Sequence, residues 1–299
     1  MTKKILAICF SQTGQLSDII DNITAPIAEA GFVVDRVVIE MANPYSFPWT
    51  ADSFFSVMPD CVLGVPAQLA PLQLREEDYD LIVLGYQPWF LSPSIPFNSL
   101  MQEPQFTRVL KNTPVITVSG ARNMWVSAYE GVRRMLRDAD ARHVATISLV
   151  DKHLNLVSFV TIFHWMLHGR KDRYLGIFPK PGVSDIDIAH AKVFGTIVLC
   201  YLKNSNWEGL QAELLAKKAV VLKHHLLFIE GKASVMFRVW ARFIVKRKNR
   251  RFWLRVFRYY LMIALFVAAP IAYFIDKVFF SVFLRTYVQA KKESVLKLN

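Results

Sequence analysis

Residues 4–17, K-I-L-A-I-C-F-S-Q-T-G-Q-L-S, constrain the fold of this chain more than any other stretch. The apolar run from Ile5 to Phe10 has the pattern of a buried strand. It stops at a hydroxyl-rich loop containing Gly14, and a helical repeat through Ile19, Ile20, Ile23 and Ile27 begins at once. A strand, a tight loop and a helix start in that order turn backbone N–H groups and the positive end of a helix toward an anion. The hydroxyls of Ser11, Thr13 and Ser17 add donors for phosphate oxygens. The loop has neither the lysine of a Walker motif nor the Gly-x-Gly-x-x-Gly of a dinucleotide site. A phosphomonoester held by neutral donors suits it, and an ordinary helix cap is the competing reading.

Two later loops favour the ligand. Leu81, Ile82, Val83 and Leu84 form a continuous apolar run, the pattern of a strand covered on both faces. The run leads into Gln87-Pro88-Trp89-Phe90-Leu91-Ser92-Pro93-Ser94-Ile95-Pro96, where prolines fix the backbone and Trp89 and Phe90 offer flat faces. A further buried strand at 115–119 ends in Gly120-Ala121-Arg122-Asn123-Met124-Trp125, and a helix follows with Trp125, Tyr129, Val132 and Leu136 on one stripe. In a doubly wound sheet these loops share the carboxyl edge, where ligands bind. Phosphate donors beside flat aromatic faces point to flavin mononucleotide, FMN. The expected cofactor contacts are Ser11, Gln12, Thr13, Gly14, Gln15, Leu16 and Ser17 in the first loop. Gln87, Pro88, Trp89, Phe90 and Leu91 join them from the second, and Gly120, Ala121, Arg122 and Trp125 from the third.

Strands are expected at 4–10, 32–40, 81–86, 115–119 and 143–150 with helices between them, an α/β chain with a parallel sheet. Residues 41–74 are too long for a simple connection, and Tyr45, Phe47, Trp49, Phe54 and Phe55 suggest a packed cap beside the ligand. A closing helix is expected at 185–201, with Ser184 as its N-cap. The apolar stretch 154–166 is either a core helix or the wall of a substrate channel, and His164 within it is either a packed residue or a base. His164 and His168 lack a third ligand, so no metal is expected. Cys9, Cys61 and Cys200 have neither disulfide nor metal spacing, and buried thiols are expected. Lys3 and Lys4 precede only a short apolar run with no small-residue cleavage site, so the N-terminus is expected to be a first strand and not a signal peptide.

The Ser11-Gln12-Thr13-Gly14-Gln15 loop resembles the phosphate loop of flavodoxins, and residues 87–96 are similar to the Trp-Phe loop that packs on the flavin in flavodoxin-like quinone reductases. Over residues 1 to about 200, including Asn155-Leu156-Val157-Ser158-Phe159-Val160, the chain is similar to the flavodoxin-like enzymes of bacterial dialkylresorcinol biosynthesis. The resemblance implies a flavodoxin-like doubly wound five-stranded parallel sheet. It further implies an FMN-dependent aromatase that acts after a ketosynthase. Its substrate would be a 2,5-dialkylcyclohexane-1,3-dione, which becomes a dialkylresorcinol by losing a hydride and a proton. In that reaction Arg122 is the candidate to stabilise the enolate oxygen, with Asn123 as a second donor and His164 as a candidate base. Trp89, Phe90 and Trp125 would sandwich the ring. Two departures stand out: Leu16 replaces a hydroxyl residue unless Ser17 takes its role, and Pro26 should shorten or kink the first helix. The alternatives are an NAD(P)H-dependent quinone reductase and a membrane-anchored electron carrier. Flavodoxin-like reductases commonly share the flavin site across a dimer, so a homodimer is a further expectation.

Net charge is +12, and much of it lies near the end of the chain. Residues 207–229 have a helical pattern. Beyond them Arg238, Arg242, Lys246, Arg247, Lys248, Arg250, Arg251, Arg255 and Arg258 alternate with aromatics, and the uncharged stretch 259–275 follows. Basic-aromatic then apolar is the order of a cytoplasmic membrane interface, not of a nucleic-acid reader. The uncharged stretch is shorter than the roughly 20 residues of a spanning helix, and Pro270 interrupts it. A re-entrant hairpin or an in-plane helix pair is therefore expected, with a full span and soluble packing as the alternatives. The expected organisation is a domain at 1–205 and a helical membrane-associating extension at 206–299. The chain would sit at the cytoplasmic face of the inner membrane, peripheral or monotopic, with a lipid-like substrate.

Overall fold

Five strands, β1 (Lys4–Cys9), β2 (Val33–Val38), β3 (Leu81–Tyr86), β4 (Pro114–Ala121) and β5 (Arg142–Val150), pair in parallel in the order β2-β1-β3-β4-β5. That is the flavodoxin-like order of a doubly wound sheet, so the expected fold class holds. The computed structural model describes residues 2–268 and 283–298. Helices alternate with the strands: α1 (Gln15–Glu29), α2 (Ala51–Ser56), α3 (Met58–Leu63), α4 (Ile95–Leu100), α5 (Pro104–Leu110), α6 (Val126–Asp138), α7 (Asn155–His168) and α8 (Asp185–Asn204).

The apolar run in β1 is continuous because both of its faces are covered. Ile5, Ala7 and Cys9 meet the layer of α1 and α8, whereas Leu6 and Ile8 meet the layer of α4, α5 and α6. Ile19, Ile20, Ile23 and Ile27 of α1 are all closed to solvent, and each such burial stabilises by roughly 1.5–3 kcal/mol. Two glycines set the spacing. A Cβ on Gly85 would lie 2.5 Å from Cys9 Cβ, and one on Gly195 would lie 2.0 Å from the Ile23 carbonyl oxygen. Gly195 thus lets α8 lie directly against the backbone of α1.

Several boundaries differ from expectation. Pro26 does not shorten α1, which runs on to Glu29. It falls in the last turn, and Gly31 at φ 86° closes the helix beyond it. Residues 207–229 form two helices, α9 (Leu210–Ala216) and α10 (His224–Val245), and not one. Between them Val220 bridges Ser148 in parallel, and the Ala219 carbonyl accepts from the Ser148 N–H at 2.8 Å. The chain there covers the edge of β5, and backbone committed to a sheet edge cannot continue a helix. Trp207, Leu210, Leu214 and Ala219 join the core of α1 and α8, so packing is continuous across residue 205. Ser184 does cap α8, accepting from the Asp187 N–H at 3.1 Å. Cys9 and Cys61 are buried, but Cys200 lies on the outer face of α8 and is exposed.

α10 packs against α3, and α11 (Arg250–Ile263) joins it in an aromatic cluster centred on Phe55, Met58, Ala241, Ile244 and Phe257. Residues 269–275 of the uncharged stretch lie outside the described residues, and so does the expected re-entrant hairpin. A last helix, α12 (Phe283–Leu296), returns Lys291 to pair with Glu130 of α6. Among the described residues no helix is long and apolar enough to cross a membrane.

Candidate functional site

Gly14 begins α1 in the left-handed region, at φ 84°, and as the N-cap it has no side chain to cap the helix. The N–H groups of Thr13, Gly14, Gln15 and Leu16 find no acceptor among the described residues, and nothing lies within 4 Å of where a Gly14 Cβ would be. Unpaired donors at the positive end of a helix form an anion seat. The loop around them is fixed. The Ser17 N–H donates to Ser11 Oγ and the Gln12 N–H donates to Gln87 Oε1, both at 3.4 Å, and the second bond ties this loop to the one after β3. Gln15 is buried and its Oε1 accepts from the Val183 N–H at 2.9 Å. A Cβ on Gly120 would lie 2.7 Å from Ile19 Cδ1 and 3.4 Å from Gln15 Nε2, so the loop after β4 also comes close to α1.

Two residues of this loop are turned away from the seat. Ser17 Oγ accepts from Arg36 Nη2 at 2.6 Å and donates to Asp21 at 3.4 Å, so its hydroxyl faces β2 and does not replace the one that Leu16 lacks. The Leu16 side chain lies in the core between α1 and the sheet. Leu16 can serve only through its backbone N–H, and the Ser17 N–H is already given to Ser11.

After β3, residues 88–93 form a short antiparallel hairpin in which Pro88 pairs with Pro93 and Trp89 with Ser92. Its two turn residues, Phe90 and Leu91, both have positive φ, 48° and 60°. That geometry is normally reserved for Asn-Gly, and residues held so cost about 1–3 kcal/mol each. Packing holds the turn in place. The Phe90 ring lies 4.9 Å from Phe54, 6.3 Å from Phe55 and 6.1 Å from Phe237, centroid to centroid. Phe90 is half-buried, with its ring packed toward α2 and α10. Trp89 points the other way, with Phe10 at 5.9 Å, Tyr45 at 5.4 Å and Trp49 at 5.7 Å. The segment 41–74 thus supplies an aromatic cap over the hairpin, as its composition suggests. Cys61 of α3 donates its thiol to the Trp89 carbonyl at 3.3 Å, and burial pushes that thiol's pKa up.

After β4, Arg122 donates from Nη2 to Asn155 Oδ1 at 2.7 Å and sits over the Phe159 ring at 5.3 Å. Its Nε is buried without a partner. Burial pulls its pKa down to about 10, opposed by the charges of Asp151 and Glu230, so it remains a cation at neutral pH. Asn123 donates from Nδ2 to the His153 carbonyl at 3.0 Å, and its Oδ1 is buried and unpaired. Trp125 is 0% exposed; its indole N–H donates to the Val221 carbonyl at 3.4 Å and its ring lies 5.5 Å from Tyr129. It belongs to the core beneath α6 and cannot sandwich a ligand. His164 is likewise elsewhere. Its neighbours are Asp172 at 3.1 Å and the rings of His168 and Tyr174, at 4.5 Å and 4.4 Å, and it shares no partner with Arg122 or Asn123.

Sequence reasoning missed two acids that organise this edge. Asp151 follows β5 directly and is fully buried. Its Oδ1 accepts from the His153 N–H at 2.9 Å and from His153 Nδ1 at 2.7 Å, and its Oδ2 accepts from Ser158 Oγ at 2.8 Å. Glu230 of α10 is buried and accepts from the Ser127 N–H, in the first turn of α6, at 2.6 Å. Burial raises its pKa to about 7. A signal for it exists, because Glu230 is the only acidic residue between Glu213 and Asp276.

No protein-family model matches this chain, and no curated protein matches it. Solved structures are similar at low identity. A flavoprotein from Lactobacillus acidophilus NCFM in complex with FMN is 15% identical over 50% of this chain and 93% of its own, with a TM-score of 0.38. A flavoprotein from Bacteroides eggerthii is 15% identical over 56% of this chain and 98% of its own, with a TM-score of 0.40. A flavodoxin from the domain Archaea is 11% identical over 67% of this chain and 99% of its own, with a TM-score of 0.34. Likenesses this distant carry no functional argument, and the fold assignment rests on the strand order.

Proposed function

We propose that the chain is an FMN-dependent oxidoreductase that oxidises a 2,5-dialkylcyclohexane-1,3-dione to a dialkylresorcinol. One observation carries the cofactor: the start of α1 at Gly14, where the N–H groups of Thr13, Gly14, Gln15 and Leu16 have no acceptor among the described residues, in a fixed loop. A phosphomonoester supplies the acceptors these donors lack, and the Ser11 and Thr13 hydroxyls stand in the same loop. The buried unpaired atoms nearby, Gln12 Oε1, Arg122 Nε and Asn123 Oδ1, suit an isoalloxazine rim, which carries both N–H and carbonyl groups. Trp89 contributes the aromatic wall from the hairpin.

The bound flavin would supply the acceptor for a hydride. The chain's own part is to hold the dione and stabilise charge on its ring oxygen as a neighbouring carbon loses a proton. Arg122 is suited to this, since it keeps its charge although half-buried, and a preoriented cation in a site shielded from water stabilises an enolate strongly. Asn155 and Phe159 fix its guanidinium, and Asn123 fixes the loop through His153. The substrate class rests on the resemblance to the dialkylresorcinol enzymes, whose dione is supplied by a ketosynthase. A lipid with two alkyl chains partitions into membranes, and the arginine-rich α10 and α11, with exposed Val239, Phe252 and Tyr259, suit a membrane surface. We assign the protein to the cytoplasmic face of the inner membrane as a peripheral protein.

Anaerobic mixing with a synthetic dialkylcyclohexanedione tests the reading. The account predicts that bound FMN loses its visible absorbance and that the resorcinol appears in equal amount. Bleaching by NADPH alone, with no reaction of the dione, would make the chain a quinone reductase instead.

A further inference from the structure

Arg251, Arg255 and Arg258 fall on one stripe of α11 and line a cleft of about 480 Å³ facing Asp52, Ser53, Phe55 and Ser56 of α2. Three guanidiniums less one carboxylate leave a net charge of +2 in the cleft. Among the described residues none of the three has an acidic partner, whereas Arg36, Arg75 and Arg170 all form ion pairs. The Ser53 and Ser56 hydroxyls already donate to the carbonyls of Thr50 and Ser53, at 3.0 Å and 2.7 Å, so recognition falls to the arginines. Their planar forks suit the oxygens of a phosphate.

A second feature of the same helix says where that phosphate comes from. Phe252, Tyr259 and Ile263 are 51%, 64% and 61% exposed. At about 100° per residue they form a stripe roughly a quarter-turn from the arginines. The opposite side of the helix is closed by Phe257 in the aromatic cluster. A cationic stripe beside an exposed apolar one, on a helix anchored by its third face, is the arrangement of an element lying in a membrane interface.

We propose that the cleft between α2 and α11 seats the phosphate of an anionic lipid headgroup, with Phe252, Tyr259 and Ile263 entering the acyl boundary beside it. The inference rests on the membrane-facing reading of the extension and adds a specific site to it. Diffuse attraction would make every surface cation equivalent; a site makes these three unequal to the rest.

Flotation of the full chain with vesicles of phosphatidylglycerol or phosphatidylcholine separates the two. The variant Arg251→Gln/Arg255→Gln/Arg258→Gln should lose about a thousandfold or more in affinity for phosphatidylglycerol vesicles, beyond the roughly 1 kcal/mol per cation of diffuse attraction. The equally neutralised Arg238→Gln/Arg242→Gln/Lys248→Gln should lose no more than about a hundredfold, the effect of three charges near an anionic surface alone at about 1 kcal/mol each. Arg255→Lys, which keeps the charge and the fold, should still lose several-fold because the fork is gone. Equal losses in the two triple variants, or full binding by Arg255→Lys, overturn the site while leaving the membrane reading intact. A wild-type chain that binds neither vesicle overturns both. Displacement by inorganic phosphate, at an ionic strength matched with chloride, would assign the cleft to a soluble phosphate ester and overturn the headgroup.

Discussion

At the carboxyl edge of the sheet, Asp151 is closed to solvent with both oxygens accepting hydrogen bonds, and Arg122 is held against Asn155 and Phe159. In α11, by contrast, Arg251 and Arg255 stand exposed beside a cleft with no acid among the described residues paired to them. Charge taken out of water must be compensated, or the fold loses several kcal/mol. Charge left in water contributes little to the fold and stays available to something outside the chain. The two regions therefore use charge for different ends, the first to fix a site and the second to meet a surface. Glu230 joins them, since it comes from the extension yet is buried against the first turn of α6.

The largest effect expected from this contrast is at Asp151. Asp151→Ala leaves the His153 N–H and the Ser158 hydroxyl without their acceptor, and should lower unfolding free energy by about 3–5 kcal/mol in urea titration. A loss within the error of measurement would mean that the edge is not held by that carboxylate. Gly195→Ala comes next, because the added carbon meets the Ile23 carbonyl and forces α8 off α1. It should cost about 3 kcal/mol and leave vesicle binding by the folded fraction unchanged. If vesicle binding falls as well, the two regions are not independent.

The Glu230 linkage is comparable in size to the Gly195 effect and depends on pH. Its carboxyl is raised from 4.5 to about 7 by burial, so the folded state holds the proton more tightly. The resulting stability is complete below pH 4.5 and is lost as pH rises toward 7. Glu230→Gln should flatten that decline, a difference of about 3 kcal/mol across the window in thermal melts. A decline that persists unchanged in the variant would assign it to another group. The smallest expected effect is on stability in α11, where Arg251→Gln should shift unfolding by less than about 0.5 kcal/mol. Raising salt from about 0.1 to 1 M, which shortens the Debye length from roughly 10 to 3 Å, should weaken vesicle binding steeply without altering that stability. Vesicle binding that is indifferent to salt would break the comparison.

The sheet was legible because its physics is local and repetitive. Runs such as Leu81-Ile82-Val83-Leu84 are apolar throughout only when both faces are covered, and the order of strands and loops then follows from connection rules. Where each side chain turns within a loop was not legible. Trp125 and Phe90 are aromatic, and their type says that they bury area without saying against what; Val221 and Phe54, far along the chain, decide that. Ser17 follows Leu16 by one residue, yet on a helix that step is about 100° and carries its hydroxyl to Arg36. The break between α9 and α10 comes from a pairing of Val220 with Ser148, which no local pattern announces.

The central claim is that the start of α1 at Gly14 is a phosphate seat. FMN and riboflavin differ only by that phosphate, so titrating the full chain with each, read by flavin fluorescence, isolates the contribution of Thr13, Gly14, Gln15 and Leu16. The account predicts that FMN binds at least about a hundredfold more tightly, the effect of two or more charge-assisted hydrogen bonds. Equal affinities would contradict it.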